Sequence, residues 1–507
     1  MAIKPFKNKI IPKDVSSLIN FGLSENDGDI RYASMAKLQT EGVAALYNFL
    51  CNKDFAYLAD EVGMGKTYQA LGLASVLWNL KPEARIVFIS PRKNLQDKWI
   101  RDYNNFIANN YREPQGNTGD GILKCLLKKT PLVQPCFCNN LLAFADALFL
   151  QGFNAYFLRH TSFMRPLSVT FKRSSDISGA WDLCKDRLRS HGIYNFETRV
   201  PARSIEEASA AFNKRFAEGL SNLLSNMSSN GDPSIDLLIV DEAQCLRNPY
   251  NQSNTVFKTT FEGNVSKWLF LSATPLHSGR KCLKSQINYV DDNFINEDSL
   301  KEGNERKFQD TLSKFMVRRP REFIDINGNP IGKREYRVHK EVEVSAENPL
   351  HALTMALVQK KLVRILKNKN NRFKIGFLSS FESFQESLSK HVTEDGSGQE
   401  ETSDFYFNKG EIPADDERTP PDAGFITVLG KKYLKAFNSP LPHPKIDFTV
   451  ESLSRKAFYE NEKYVVFCRR IKAVEELCDR FELAHDEYIK DRVRTIWDPT
   501  FDWSQTV

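Results

Sequence analysis

The sequence predicts an α/β fold built on a parallel sheet, and three observations predict it. Short, mainly apolar runs at Phe55–Ala59, Ile86–Ile89, Ile235–Val240 and Trp268–Leu271 have the length and composition of strands covered on both faces. Between the first two lies Tyr68–Leu80, with Leu71, Ala74 and Trp78 on one helical stripe and Leu73, Leu77 and Leu80 on another. Apolar residues on two sides suit a helix packed between a sheet and a further layer. The links are short, and strand, helix, strand with short links is the pattern of a parallel crossover.

Composition bounds what such a chain can be. Its 507 residues are 41% apolar and include 36 Phe, enough for sizeable cores. At ~150 residues each they make roughly three domains. A net charge of +6 permits nucleic-acid binding without arguing for it. Nine Cys, at 51, 125, 136, 138, 184, 245, 282, 468 and 478, include no C-x-x-C pair. That excludes a disulfide framework or zinc ribbon. Cys136 and Cys138 form a lone C-x-C, read as reduced thiols in preference to a metal site. The N-terminus lacks an apolar signal core and no 18 apolar residues run together, which predicts a soluble, cytoplasmic protein without a membrane partner.

In chain order, residues 1–30 are expected to form a polar, weakly structured lead-in, and 31–345 the main sheet domain. Residues 105–234 interrupt the sheet rhythm. They are expected to be a mostly helical insertion, as at Ile205–Leu224, with a strand-like piece at Ala155–Arg159, and a possible surface for protein partners. Residues 346–424 are expected to be a helical connector and an acidic, Gly/Pro/Ser-rich linker of low order. Residues 425–507 should open a second α/β domain. Its strand would be Tyr464–Cys468 and its helix Ile471–Leu483, with Val474, Leu477 and Phe481 facing inward.

Chemistry is carried by three short segments, each following a strand. Asp60-Glu61-Val62-Gly63-Met64-Gly65-Lys66-Thr67 opens a helix. Its glycines let backbone N–H groups approach phosphate oxygens, and the helix N-terminus favours negative charge. Lys66 can then reach the β/γ-phosphates and the Thr67 hydroxyl can ligate Mg²⁺. The strict phosphate-loop pattern wants Gly where Asp60 stands. Asp241 and Glu242, at the end of the Ile235–Val240 run, lie where open parallel sheets bind ligands. One acid suits Mg²⁺ and the next suits activation of water. Ser272 and Thr274 supply two hydroxyls at the same edge, suited to sensing the phosphate site or simply to capping a helix.

DEVGMGKT, DEAQ and SATP, in this order, resemble motifs I, II and III of the superfamily 2 helicase-like ATPases, the second being of the DEAD/DEAH-box type. The D-E-hydrophobic-G-x-G-K-T form is the Snf2 variant. Val62 makes it look closest to the bacterial Snf2-like group that includes the RNA-polymerase-associated ATPase. Leu38-Gln39 with Gly42-Val43, Ile86–Pro91 with Trp99, Arg247-Asn248-Pro249, Phe315–Arg319, His443–Ile446 and Tyr464–Arg469 resemble further family segments.

The resemblance implies a RecA-like parallel-sheet lobe with a helical insertion, plus the beginning of a second RecA-like lobe. It implies ATP and Mg²⁺ as cofactors. Asp60, Gly63, Met64, Gly65, Lys66 and Thr67 would hold the phosphates and Gln39 would read the adenine. Thr67 and Asp241 would hold the metal, while Lys66, Asp241, Glu242 and Gln244 would be catalytic. Ser272 and Thr274 would couple nucleotide state to movement. Gln244 stands where many relatives have His. Lys93, Lys98 and Arg101 would touch nucleic acid, most naturally duplex DNA in a bacterial nucleoid. No segment after Leu483 resembles motifs V or VI, so the chain alone is expected to bind ATP but hydrolyse it poorly. Three activities fit: a DNA translocase, a strand-separating DNA or RNA helicase, and a non-hydrolysing, ATP-gated subunit of a larger complex.

Overall fold

The computed structural model describes residues 5–22, 30–111, 135–164, 205–228, 232–276, 279–324, 329–331, 338–344 and 442–497, apart from single positions or a pair within these ranges, and isolated residues elsewhere. The chain divides into two compact units, Met1–Val338 and His339–Val507. The expected connector and linker over 346–424, apart from residues 349, 351–353 and 356, and much of the expected insertion, 112–134 and 165–204 apart from Arg189, lie outside the described residues.

The first unit is a seven-stranded sheet in the order β3-β4-β2-β5-β6-β1-β7, with every neighbouring pair parallel. Its strands are β1 (Phe55–Leu58), β2 (Ile86–Ser90), β3 (Pro135–Phe137), β4 (Ala155–Arg159), β5 (Ile235–Asp241), β6 (Val265–Leu271) and β7 (Met316–Val317). Helices lie on both faces. On one are α1 (Pro12–Leu18), α2 (Ile30–Asn52), α3 (Lys66–Leu80) and α4 (Lys93–Asn109). On the other are α5 (Leu141–Leu150), α6 (Ile205–Asn226), α7 (Gln252–Phe261) and α8 (Arg280–Ile287). Alternation along a strand splits the core in two: Phe55 and Tyr57 face one layer, Ala56 and Leu58 the other. All four are buried, which is why these runs carry no polar alternation. The stripes of α3 are buried as expected, except for half-buried Leu80.

Two expectations need correction here. Residues 5–22 are not a loose lead-in. Ile10, Val15, Leu18 and Ile19 are buried, and the Asn48 side chain both accepts from the Ile10 N–H (2.9 Å) and donates to its carbonyl (2.8 Å). Burial of four aliphatic side chains outweighs the polar residues between them. The 105–234 segment is likewise not simply an insertion. β4 is buried along its whole length beside β2, and Phe88 stacks on Phe157 across the pair at 4.5 Å. Thus 135–164 is part of the sheet.

The second unit, as described, holds α9 (Pro444–Tyr459) and α10 (Ile471–Trp497). Ile446, Ala473 and Leu477 form its buried seam, and Arg480 bridges Asp447 and Glu476. His443 caps α9, its Nδ1 accepting from the Ile446 N–H at 3.3 Å. Val474, expected inward, is 43% exposed. Tyr464–Cys468 is not a strand: it pairs with nothing among the described residues, and Phe467 is 91% exposed. β-propensity fits a segment to a ladder but does not create one without a partner.

Candidate active site

The register of the sheet builds the site. Leu58 and Asp241 both lie opposite Leu271, so the ends of β1, β5 and β6 form one row. From that row emerge the loop 59–65, Asp241-Glu242 and Ser272. The Ser272 N–H donates to the Leu58 carbonyl at 3.2 Å, tying two of these exits together.

The loop from β1 to α3 needs both its glycines. Gly63 and Gly65 have φ of 87° and 71°, a region that L side chains avoid. The Gln39 amide lies against Gly65, where a β-carbon would stand 2.1 Å from its Nε2, so a side chain there would also displace Gln39. Between the two glycines the Met64 side chain is buried. Lys66 Nζ donates to the carbonyls of Asp60 (2.9 Å) and Glu61 (3.2 Å), spanning the loop from within. Burial lowers the Lys66 pKa, and the charges of Glu242, Asp60 and Asp241 oppose that shift. Lysine and acid pair are therefore electrostatic neighbours, although 175 positions separate Lys66 from Asp241 in sequence.

Asp60 does not face this space. It is fully buried, its Oδ1 accepting from the Arg319 N–H (3.0 Å) and Nε (3.1 Å), and its Oδ2 from Arg319 Nη2 and Gln69 Nε2 (3.1 Å). The expectation that Asp60 binds nucleotide is corrected: its acceptors are saturated by the protein, and it anchors the loop instead. Gln39, expected to read the adenine, places its amide against the loop and donates to the Met64 carbonyl at 3.2 Å.

Asp241 and Glu242 are held differently. Asp241 Oδ2 accepts from the Trp99 indole N–H at 2.8 Å and Oδ1 from the Glu242 N–H at 2.9 Å. Burial raises the Asp241 pKa above the usual carboxylate value, while the Trp99 hydrogen bond pulls it down. Glu242 adopts φ 48°, ψ 53°, a left-handed conformation that costs a non-glycine residue ~1–2 kcal/mol. A hydrogen-bonded run follows. Ser272 Oγ donates to Gln244 Oε1 (2.6 Å), Gln244 Nε2 donates to Glu242 Oε2 (2.7 Å), and the Thr274 N–H donates back to Ser272 Oγ (3.0 Å). Gln244 is thus the link between the acid pair and the hydroxyl pair. Asn254 fixes the turn after the acids, donating to the carbonyls of Cys245 (3.0 Å) and Asn248 (2.7 Å) while its own oxygen meets His160 Nε2 at 2.7 Å.

Lys93, Lys98 and Arg101 are exposed on α4, away from its buried stripe of Gln96, Trp99, Tyr103 and Phe106. Lys98 pairs with Asp102 at 3.9 Å. Cys136 and Cys138 are free thiols 3.8 Å apart, and among the described residues no cluster of three or more His, Cys, Asp or Glu is placed to hold a metal. No described helix is long and apolar enough to cross a membrane.

Sequence comparison adds one family. Residues 33–129, which include the loop and α4, match the family described as "Type III restriction enzyme, res subunit". No curated protein matches the chain. Solved structures similar to it include the SWI2/SNF2 ATPase core of Sulfolobus solfataricus, in complex with dsDNA and as the core domain. Both are 12% identical at a TM-score of 0.34, over 75% and 74% of this chain. The aligned part spans 58% and 59% of those chains, so this chain covers less than two thirds of their length. At that distance the fold rests on the strand order itself.

Proposed function

We infer that the chain, whose first unit is a superfamily 2 helicase-type ATPase lobe of Snf2-like character, binds and hydrolyses ATP in order to move along duplex DNA. One observation carries the reading. Three segments distant in sequence, 60–67, 241–244 and 272–274, meet on one row of strand ends, with Lys66 in the field of Asp241 and Glu242.

The residues fit a nucleoside triphosphate with Mg²⁺. The loop amides around Gly63 and Gly65 and the Lys66 ammonium would hold phosphates, while the Thr67 hydroxyl and the Asp241 carboxylate would hold the metal. When bound, that ion neutralises charge on the phosphates. Glu242, its carboxylate oriented by Gln244, accepts a proton from the attacking water. Because Gln244 is also held by Ser272, a shift of the 272–275 turn repositions the base, which links hydrolysis to movement. Trp99 keeps Asp241 oriented from α4, the helix whose outer face carries Lys93, Lys98 and Arg101. Those cations suit backbone phosphates, so binding is expected to be sequence-independent and weakened by salt.

The test is phosphate release from ATP by the full chain with duplex DNA, single strands or RNA, with Lys66→Ala as the blank. Weak turnover, stimulated by duplex DNA and abolished in Lys66→Ala, is the expected result. Separation of tailed duplexes would replace translocation by unwinding. ATP binding without turnover would leave a nucleotide-gated binding subunit.

A further inference from the structure

The phosphate loop opens with two acids, Asp60 and Glu61, a poor start for a site that must accept a polyanionic tail. Arg319 neutralises the first and is consumed in doing so: besides three hydrogen bonds to the Asp60 carboxylate, one of them from its backbone N–H, its guanidinium donates to Gln69 Oε1 (2.8 Å) and the Leu38 carbonyl. The segment that carries it runs on beside the loop in register. The Ala59 N–H donates to the Val317 carbonyl (2.7 Å) and the Glu61 N–H to the Arg319 carbonyl (3.3 Å). The Arg321 N–H then donates to Glu61 Oε2 at 3.1 Å. This two-residue step delivers the Arg321 side chain onto Gly63, where a β-carbon would stand 2.6 Å from Nη1 and 3.0 Å from Cζ. Gly63 is required by its φ of 87°, and the Arg321 guanidinium lies directly against it.

We propose that Arg321 is a second phosphate-binding cation of this site, which takes the phosphate tail of a nucleoside triphosphate together with Lys66. The proposal rests on the reading of 60–67 as a nucleotide loop. Lys66 offers a compact point charge from the helix start, whereas a guanidinium presents a planar fork that matches two phosphate oxygens at once. Arg321 comes from beyond β7, so it lies outside the loop motif and some 255 positions downstream of Lys66.

The experiment is calorimetric titration of ATP into the full chain and its Arg321→Ala, Arg321→Lys and Lys66→Ala variants, each first melted without nucleotide. Arg321→Ala is expected to melt with the wild type yet bind ATP about tenfold more weakly, the loss typical of one charge-assisted hydrogen bond. Arg321→Lys should regain part of that loss. ATP binding that is unchanged in Arg321→Ala but gone in Lys66→Ala would overturn the proposal and leave the nucleotide site standing. Weaker binding accompanied by a lower melting temperature, with no recovery in Arg321→Lys, would also overturn it, since Arg321 would then be a brace. A wild type that binds no ATP would remove the nucleotide site and the proposal with it.

Discussion

Two aspartates near the strand ends, Asp60 and Asp241, have opposite fates that follow from their partners. Asp60 is sealed by Arg319 and Gln69, while Asp241 accepts from the Trp99 indole on one oxygen and the Glu242 N–H on the other and sits in the field of Lys66. Removing one member of a buried ion pair leaves an uncompensated charge, which typically costs 3–5 kcal/mol. Arg319→Ala is accordingly expected to destabilise the first unit by about 3 kcal/mol, measured by urea unfolding; a loss under about 1 kcal/mol would show that the pair matters little. The eight-residue loop and the acid pair were legible in the sequence because their chemistry lies within a few consecutive residues. The Asp60–Arg319 pair spans 259 positions and Trp99–Asp241 spans 142, so nothing in the local pattern of either aspartate predicts its partner. The doubled arginine at 318–319 was visible as a segment, and its task was not.

At the scale of elements, α4 does two jobs on its two sides. Its inner stripe grips the sheet through Gln96, which donates to the Cys138 and Phe157 carbonyls, and orients Asp241 through Trp99. Its outer face carries the cations. Trp99→Phe keeps an aromatic ring but loses the donor. We expect kcat to fall about tenfold, the scale of one hydrogen bond to a charged group, with KM for ATP little changed. Equal kcat in the variant would remove Trp99 from the account. Elements with strong periodicity or continuous apolar runs, such as α3 and β5, were readable in advance. Residues 5–22 and Tyr464–Cys468 were misread in opposite directions, and for one reason. Whether a short segment is ordered depends on what it meets, and Ile10, Val15 and Leu18 meet α2 and α3 whereas Tyr464–Cys468 meets no strand among the described residues.

For the molecule as a whole, the sheet order brings together what the chain keeps apart. β1, β5 and β6 are neighbours although some 180 residues separate β1 from β5, and the site exists only where their ends align. Individual strands were legible, Ala155–Arg159 (β4) among them, but β3 and the place of β4 inside the sheet were hidden by the helical texture around them. The account's central claim is that Glu242, poised by Gln244 and Ser272, is the base of an ATP-hydrolysing site. Glu242→Gln preserves size and hydrogen bonding and removes the proton acceptor, so the direct measurement is ATP binding and duplex-stimulated turnover in this variant beside the wild type. The account predicts that binding survives while turnover drops about a hundredfold or more, as expected for loss of a general base. Turnover that persists at the wild-type rate would contradict it.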